Sequence, residues 1–376
     1  MKLDRDISMI PKWIKVLFLI ILLSFLFLPE LSKQSSILQF KNIDKFVNEK
    51  RELSSKPDLD SISLLEFPEK YEAYYNDHFG YRKFLITSNN YIKTFYFNES
   101  SNKKVIIGKE GWLFYNINNI YSDYQGKELL SNKQMKTIRD TLLARQNRFE
   151  SMGKKYYVFF IPNKIQIYPE YLKEEVKRGN SCLDQFLSFI DKDSLPVYDL
   201  KEVLLAHKDS VLLYQKIDSH WNRNGGFLAS NNVLRVLKQD FPELGLLSKE
   251  KYTINEVEKV QGDLAGMIGV QTFMNNSKFN YRLKTKNNKR VKKFNEIKYN
   301  TKYKQSFCYD NESVNDLNLL VFNDSYVSYY HQFLSEGFGK SSFYWTHNLN
   351  QYKELTSSAD VIIQIVAERS LLKAFK

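Results

Sequence analysis

Three side chains carry the most legible chemistry: Asp218 and His220 in the segment LYQKIDSHWNRNGG, and Ser325 in LLVFNDSYVSYY. Acyl transfer needs an acid to orient a base, a base to take a proton and a hydroxyl to attack, and these residue types form that set. In extended chain, residues two apart project to the same side, so the Asp218 carboxylate can accept the Nδ1 hydrogen of His220. Trp221 is placed to wall the imidazole, and Gly225 with Gly226 permits a tight entry into a following helix. The apolar run ending at Phe322 and Asn323 reads as a buried strand, with Ser325 in the turn beyond it and a helix next. The carboxyl ends of parallel strands open onto ligand crevices, and helix starts offer free N–H donors. The Ser325 backbone amide is therefore the first candidate for holding an oxyanion. Taken alone, an Asp-x-His loop or a Ser in a turn is a common structural feature; the combination is what points to acyl transfer.

The elements that must position these residues follow from the hydrophobic pattern. Short apolar runs at 156–161, 197–200, 317–322 and 361–366 are bounded by turn residues and predict a buried, mainly parallel sheet. Helical stretches at 132–152 and 225–237 alternate with them; in the second, Ala229, Val233, Val236 and Leu237 share one face. The expected class is α/β, a three-layer sandwich around that sheet. A helix is expected from about Pro68, and a hairpin over 106–115 turning at Lys109, Glu110 and Gly111. From 246 to 311 the alternation fades, and Arg282, Lys284, Lys286, Lys289, Arg290, Lys292 and Lys293 crowd together. That segment reads as a basic insertion, equally a solvated loop and a docking surface for an anionic polymer.

The N-terminus has a different character. Residues 13–28 read WIKVLFLIILLSFLFL, preceded by Lys2, Arg5 and Lys12, the arrangement of a signal anchor that leaves the body outside the cytoplasm. No small-residue cleavage site follows Leu28. The expected organisation is a cytoplasmic tip and anchor helix over 1–30, a polar stem over 31–66, and a catalytic domain over 67–376. The expected location is a single-pass inner-membrane protein with its catalytic domain in the periplasm or another extracytoplasmic space.

A net charge of +12 speaks to association with anionic surfaces rather than to fold, and no nucleic-acid motif accompanies it, so no nucleic-acid partner is expected. Aromatic residues are 15% of the chain, which suits core packing and, secondarily, platforms for sugar rings. Cys182 and Cys308 form neither a CxxC pair nor part of a Cys/His cluster, so no zinc site, no other metal and no cofactor is called for. A disulfide between them is open in an oxidising compartment.

Several pieces of the chain, in this order, resemble the SGNH-hydrolase-like AlgX/AlgJ family of alginate and related cell-surface polysaccharide O-acetyltransferases. They are NDHFGYR at 76–82, IIGKEGWLFY at 106–115, FIPNKIQIYPEYL at 160–172, IDSHWN at 217–222, GDLAGM at 262–267, NDSY at 323–326 and VAERSL at 366–371. The resemblance implies that Asp218 and His220 occupy the family's Asp-x-His positions and Ser325 its nucleophilic serine, with the acid and base preceding the nucleophile. It also implies an exported, often membrane-anchored protein that passes acetyl groups, delivered by a multi-spanning membrane acyltransferase, onto hydroxyls of an exported polysaccharide. The family commonly carries Gly two residues before the serine, where this chain has Asn323. Asn163, Lys164, Asn323, Trp221 and Tyr326 are the candidates for substrate contact or oxyanion donation. Asn163 also suits a turn, and Glu368 with Arg369 suits a structural ion pair. Beside the transferase reading stand an acetyl esterase with the same triad and a polysaccharide-binding protein on the same fold.

Overall fold

The computed structural model describes residues 11–34, 52–190, 195–259, 261–283, 292–293, 307–311, 314–349 and 353–375. Residues 1–10 of the expected tip and anchor, residues 35–51 of the expected stem and the basic residues Lys284, Lys286, Lys289 and Arg290 lie outside them. The chain divides into two compact units: residues 1–101 with 268–271, and residues 102–267 with 272–376.

The first unit is helical. Helix α1 (Lys12–Gln34) carries the apolar run, with Pro29 inside it, and Trp13, Phe18, Ile20 and Phe27 are exposed. Among the described residues no helix is long and apolar enough to cross a membrane. Helices α2 (Phe67–His78) and α3 (Arg82–Phe95) follow; α2 starts one residue before the expected Pro68, whose missing N–H costs nothing in a first turn.

The second unit contains the sheet. The hairpin strands β1 (Val105–Ile107) and β2 (Leu113–Tyr115) pair antiparallel, and the turn between them places Glu110 and Gly111 at positive φ. Next come β3 (Lys155–Ile161), β4 (Val197–Asp199), β5 (Tyr252–Lys259), β6 (Asn276–Leu283), β7 (Lys292–Lys293), β8 (Phe307–Asp310), β9 (Asn318–Asn323), β10 (Lys340–Trp345) and β11 (Val361–Ala367). The main sheet has the order β4-β3-β11-β9-β10-β8-β7, its first five strands parallel, β8 antiparallel to β10 and β7 antiparallel to β8. The predicted parallel strands are all present. Strand β10 is an addition, since Lys340, Ser341 and Ser342 dilute its apolar character. The segment read as an insertion builds the separate β5–β6 hairpin and also supplies β7 and β8 to the sheet edge.

Both faces of the sheet are buried, which is why β3 reads as an unbroken apolar run. Tyr157, Phe159 and Ile161 join one core, shared with helix α6 (Arg223–Leu237), while Tyr156, Val158 and Phe160 join the other. The second core is covered by helix α4 (Asn132–Glu150) and helix α5 (Cys182–Phe189), each started by a serine capping box. Cys182 opens α5 and Cys308 lies in β8, and both are free thiols. The adjacent parallel strands β3, β11 and β9 end at Ile161, Ala367 and Asn323, so the residues beyond them gather at one rim.

Candidate active site

The loop carrying Asp218 and His220 is pinned at its base by an isolated bridge between Tyr214 and Trp221. Asn222 then caps α6, its side chain accepting from the N–H groups of Asn224 and Gly225. A Cβ on Gly226 would meet the Tyr329 carbonyl oxygen at 2.2 Å, so the missing side chain lets α6 press against the turn that holds Ser325. Neither Gly225 nor Gly226 has a positive φ; close packing, rather than a special turn, is what these positions require.

On the opposite side, β9 ends at Asn323, and Asp324 caps the short helix Ser325–Tyr329 by accepting from the Tyr326 N–H at 3.1 Å. The second oxygen of Asp324 accepts from the Ala367 N–H at 2.8 Å, tying the turn to the end of β11. Held this way, Ser325 lies within reach of the loop before α6. His220 Nε2 is 2.6 Å from Ser325 Oγ, and His220 Nδ1 is 2.7 Å from Asp218 Oδ1. With the proton on Nδ1, the ring donates to Asp218 and accepts the Ser325 hydroxyl. The Asp218 oxygen also accepts the His220 N–H at 3.0 Å, and its other oxygen accepts the Asp263 N–H at 3.1 Å. Burial raises the Asp218 pKa, but the hydrogen bonds and charge of His220, with the Asp263 amide, outweigh it and hold the carboxyl well below the usual carboxylate range. His220 keeps 15% of its side-chain surface exposed, which leaves an approach to the junction. Among the described residues the Ser325 backbone N–H donates to nothing, as an oxyanion donor requires.

The other candidates divide. The Tyr326 ring meets the imidazole edge-on at 4.8 Å between centroids, and its hydroxyl donates to the Ser219 carbonyl at 3.0 Å. The Tyr329 ring lies tilted to the imidazole at 5.9 Å. The wall expected from Trp221 is thus supplied by tyrosines, while Trp221 itself is buried edge-on against Tyr326 and Tyr330. Lys164 is buried and spends its three donors on the carbonyls of Gln215, Lys216 and Asp218, at 2.9, 3.0 and 2.7 Å. Burial lowers its pKa to about 7, against the charges of Asp218 and Asp263. Asn163 donates its N–H and side-chain amide to Glu368, at 3.1 and 3.2 Å. Asn323 donates to the Val321 carbonyl, and its Oδ1 has no partner among the described residues.

The expected direct pair between Glu368 and Arg369 does not form. Glu368 accepts from Asn163 and Gln166, while Arg369 donates to the Asn163 side-chain oxygen and to the Tyr326 hydroxyl. Consecutive residues leaving a strand point to different neighbours, and here the Asn163 amide stands between them. Asp263 and Asp324 were not singled out in the sequence, although both lie in the motifs GDLAGM and NDSY. Asp218, His220 and Asp263 offer ligand atoms within 4.8 Å of one another, but Asp218 and His220 already satisfy each other by a hydrogen bond.

Fold and site together define an SGNH-hydrolase-like α/β domain. The chain belongs to the family described as SGNH hydrolase-like domain, acetyltransferase AlgX, which matches residues 105–300. That span contains Asp218, His220 and Asp263; Ser325 lies beyond it. The chain is 22% identical over 177 residues to the probable alginate O-acetylase AlgJ of Pseudomonas syringae pv. tomato, a stretch covering 46% of this chain and 43% of that relative. Among solved structures, PatB1 of Bacillus cereus with a sulfonyl adduct aligns with a TM-score of 0.52 at 14% identity, over 72% of this chain and 99% of that one. The O-acetyltransferase domain of Pseudomonas putida AlgJ aligns at 0.46 and 14% identity, over 71% and 92%.

Proposed function

We propose that the chain is an extracytoplasmic O-acetyltransferase acting through Ser325, His220 and Asp218. The supporting observation is the imidazole bridging a carboxylate at 2.7 Å and a hydroxyl at 2.6 Å. In this reading Ser325 Oγ attacks the acetyl carbonyl carbon while His220 Nε2 takes the hydroxyl proton, and Asp218 stabilises the imidazolium. His220 returns the proton to the departing donor group, leaving an acetyl ester on Ser325. A sugar hydroxyl then gives its proton to His220 and attacks that ester, releasing Ser325 and an O-acetylated glycan. The acceptor is an exported polysaccharide, and a membrane-bound O-acyltransferase is the source of acetyl groups, as the family membership suggests.

The same reading places the protein at the outer face of the inner membrane, held by its N-terminal segment. As a helix the stretch 13–28 extends only about 24 Å, short of the ~30 Å hydrocarbon core, so Lys15 inside it and Lys12 beside it must reach to the headgroups.

Polymer recovered from a strain carrying Ser325→Ala is expected to be exported without acetyl groups; full acetylation in that strain would overturn the proposal. With the purified full chain and an acetyl ester, added oligosaccharide is expected to divert acetyl from water to sugar. Hydrolysis indifferent to added sugar would identify an esterase instead.

A further inference from the structure

We propose that Asp263 is a positioning residue for His220, the second carboxylate of an interlocked acid pair that keeps the imidazole oriented when Asp218 is lost. The inference rests on the acyl-transfer reading of the site and deepens it.

Asp263 Oδ2 lies 3.6 Å from His220 Nδ1, on the same ring nitrogen that Asp218 engages at 2.7 Å. Its approach is fixed by the loop it faces. Ser219 donates its N–H to Asp263 Oδ1 at 2.6 Å and its hydroxyl to Oδ2 at 2.5 Å, and that hydroxyl oxygen is itself 3.3 Å from Nδ1. In return the Asp263 N–H holds the far oxygen of Asp218. The segment is pressed onto the loop because a Cβ on Gly262 would meet the Ile217 carbonyl oxygen at 2.2 Å, a space only glycine leaves open. The Ala265 N–H donates to that same carbonyl at 3.2 Å. The Asp218 carboxylate thus holds the Asp263 backbone while the Asp263 carboxylate holds Ser219 between Asp218 and His220 in the chain, and both face one imidazole, whose remaining ring neighbours are the phenols of Tyr326 and Tyr329 and the Ser325 hydroxyl.

A base that becomes cationic during transfer gains from two nearby carboxylates, and a small rotation of the ring or of the Asp263 side chain would bring Oδ2 to hydrogen-bond distance. A single-carboxylate triad has no such reserve, and its loss costs about 10⁴-fold in turnover.

The test uses the full chain, with turnover of an acetyl ester and the rate of Ser325 modification by a sulfonyl fluoride read in Asp218→Ala, Asp263→Asn, Asp263→Glu and the double variant D218A/D263N. Asp263→Asn keeps the shape and an oxygen to accept from the Ser219 N–H while removing the charge; the Ser219 hydroxyl must turn to accept from the new amide, and thermal melts confirm folding. Expected are a loss of no more than ~10²-fold in Asp218→Ala and about 10⁴-fold in the double variant. Asp263→Asn alone should lower kcat by about 3- to 10-fold with KM unchanged, and Asp263→Glu should recover part of it. Asp218→Ala already as slow as the double variant, or Asp263→Asn without effect in either background, would overturn the assignment of Asp263. Failure of the unaltered chain to be modified at Ser325 would instead overturn the acyl-transfer reading itself.

Discussion

Asp218 and Glu368 are both carboxylates buried at the rim of the same sheet, yet their surroundings push them in opposite directions. Asp218 faces an imidazole and two backbone amides and stays ionised, while burial raises Glu368 to about 7, with Asp123 and Asp199 adding to the rise and the Asn163 amide opposing it. The one is joined to a hydroxyl through His220; the other knits Asn163 and Gln166 to the end of β11. Burial of an acid, then, does not by itself mark chemistry. What separates the two regions is a titratable partner with a second, exposed side from which a reacting atom can approach.

The comparison breaks most decisively at His220. His220→Ala is expected to lower acetyl transfer by about 10⁴-fold with little change in melting temperature, and a fall of less than about tenfold would place the chemistry elsewhere. Gly226→Ala should come next: relieving the 2.2 Å clash with the Tyr329 carbonyl must part α6 from the serine turn, and an ångström of separation costs about 10²-fold in turnover. An active Gly226→Ala protein would show that the two halves are not held by that contact.

Lys164 joins the two regions, since it follows Asn163 and holds the Asp218 loop. Lys164→Met removes donors from three carbonyls, and denaturant titration should show a loss of about 2 kcal/mol, with turnover lowered about tenfold. Unchanged turnover would confine Lys164 to folding.

The smallest effect sharpens the contrast through pH. The Glu368 pKa is raised on folding, so between its ordinary value of 4.5 and about 7 the folded chain binds more protons than the unfolded one. Its contribution is complete below pH 4.5 and is lost as pH rises to about 7, at most about 3 kcal/mol. Glu368→Gln should flatten that slope in denaturation midpoints while leaving turnover within a few fold. An unaltered slope would mean that Glu368 is not the group responsible.

Much of this was legible in the sequence because the junction is encoded by two short motifs and strands buried on both faces. Asp218 and His220 interact at a separation of two, and Ser325 is announced by the strand that ends before it. What was not legible depends on contacts across long separations. Asp263 meets Ser219 from 44 residues away, and nothing in GDLAGM shows where its carboxylate turns. The Glu368–Arg369 pair was intercepted by Asn163, about 200 residues upstream, and β10 was hidden by Ser341, which packs into the interior despite its hydroxyl. Trp221 next to His220 suggested a wall, but the ring went into the core and tyrosines took that place.

Covalent capture tests the central claim most directly. The purified full chain, treated with a sulfonyl fluoride and digested for mass spectrometry, is expected to carry a single adduct on the peptide containing Ser325, formed at least about 10²-fold more slowly in His220→Ala. An adduct on another residue, or one on Ser325 that forms equally fast without the imidazole, would contradict it.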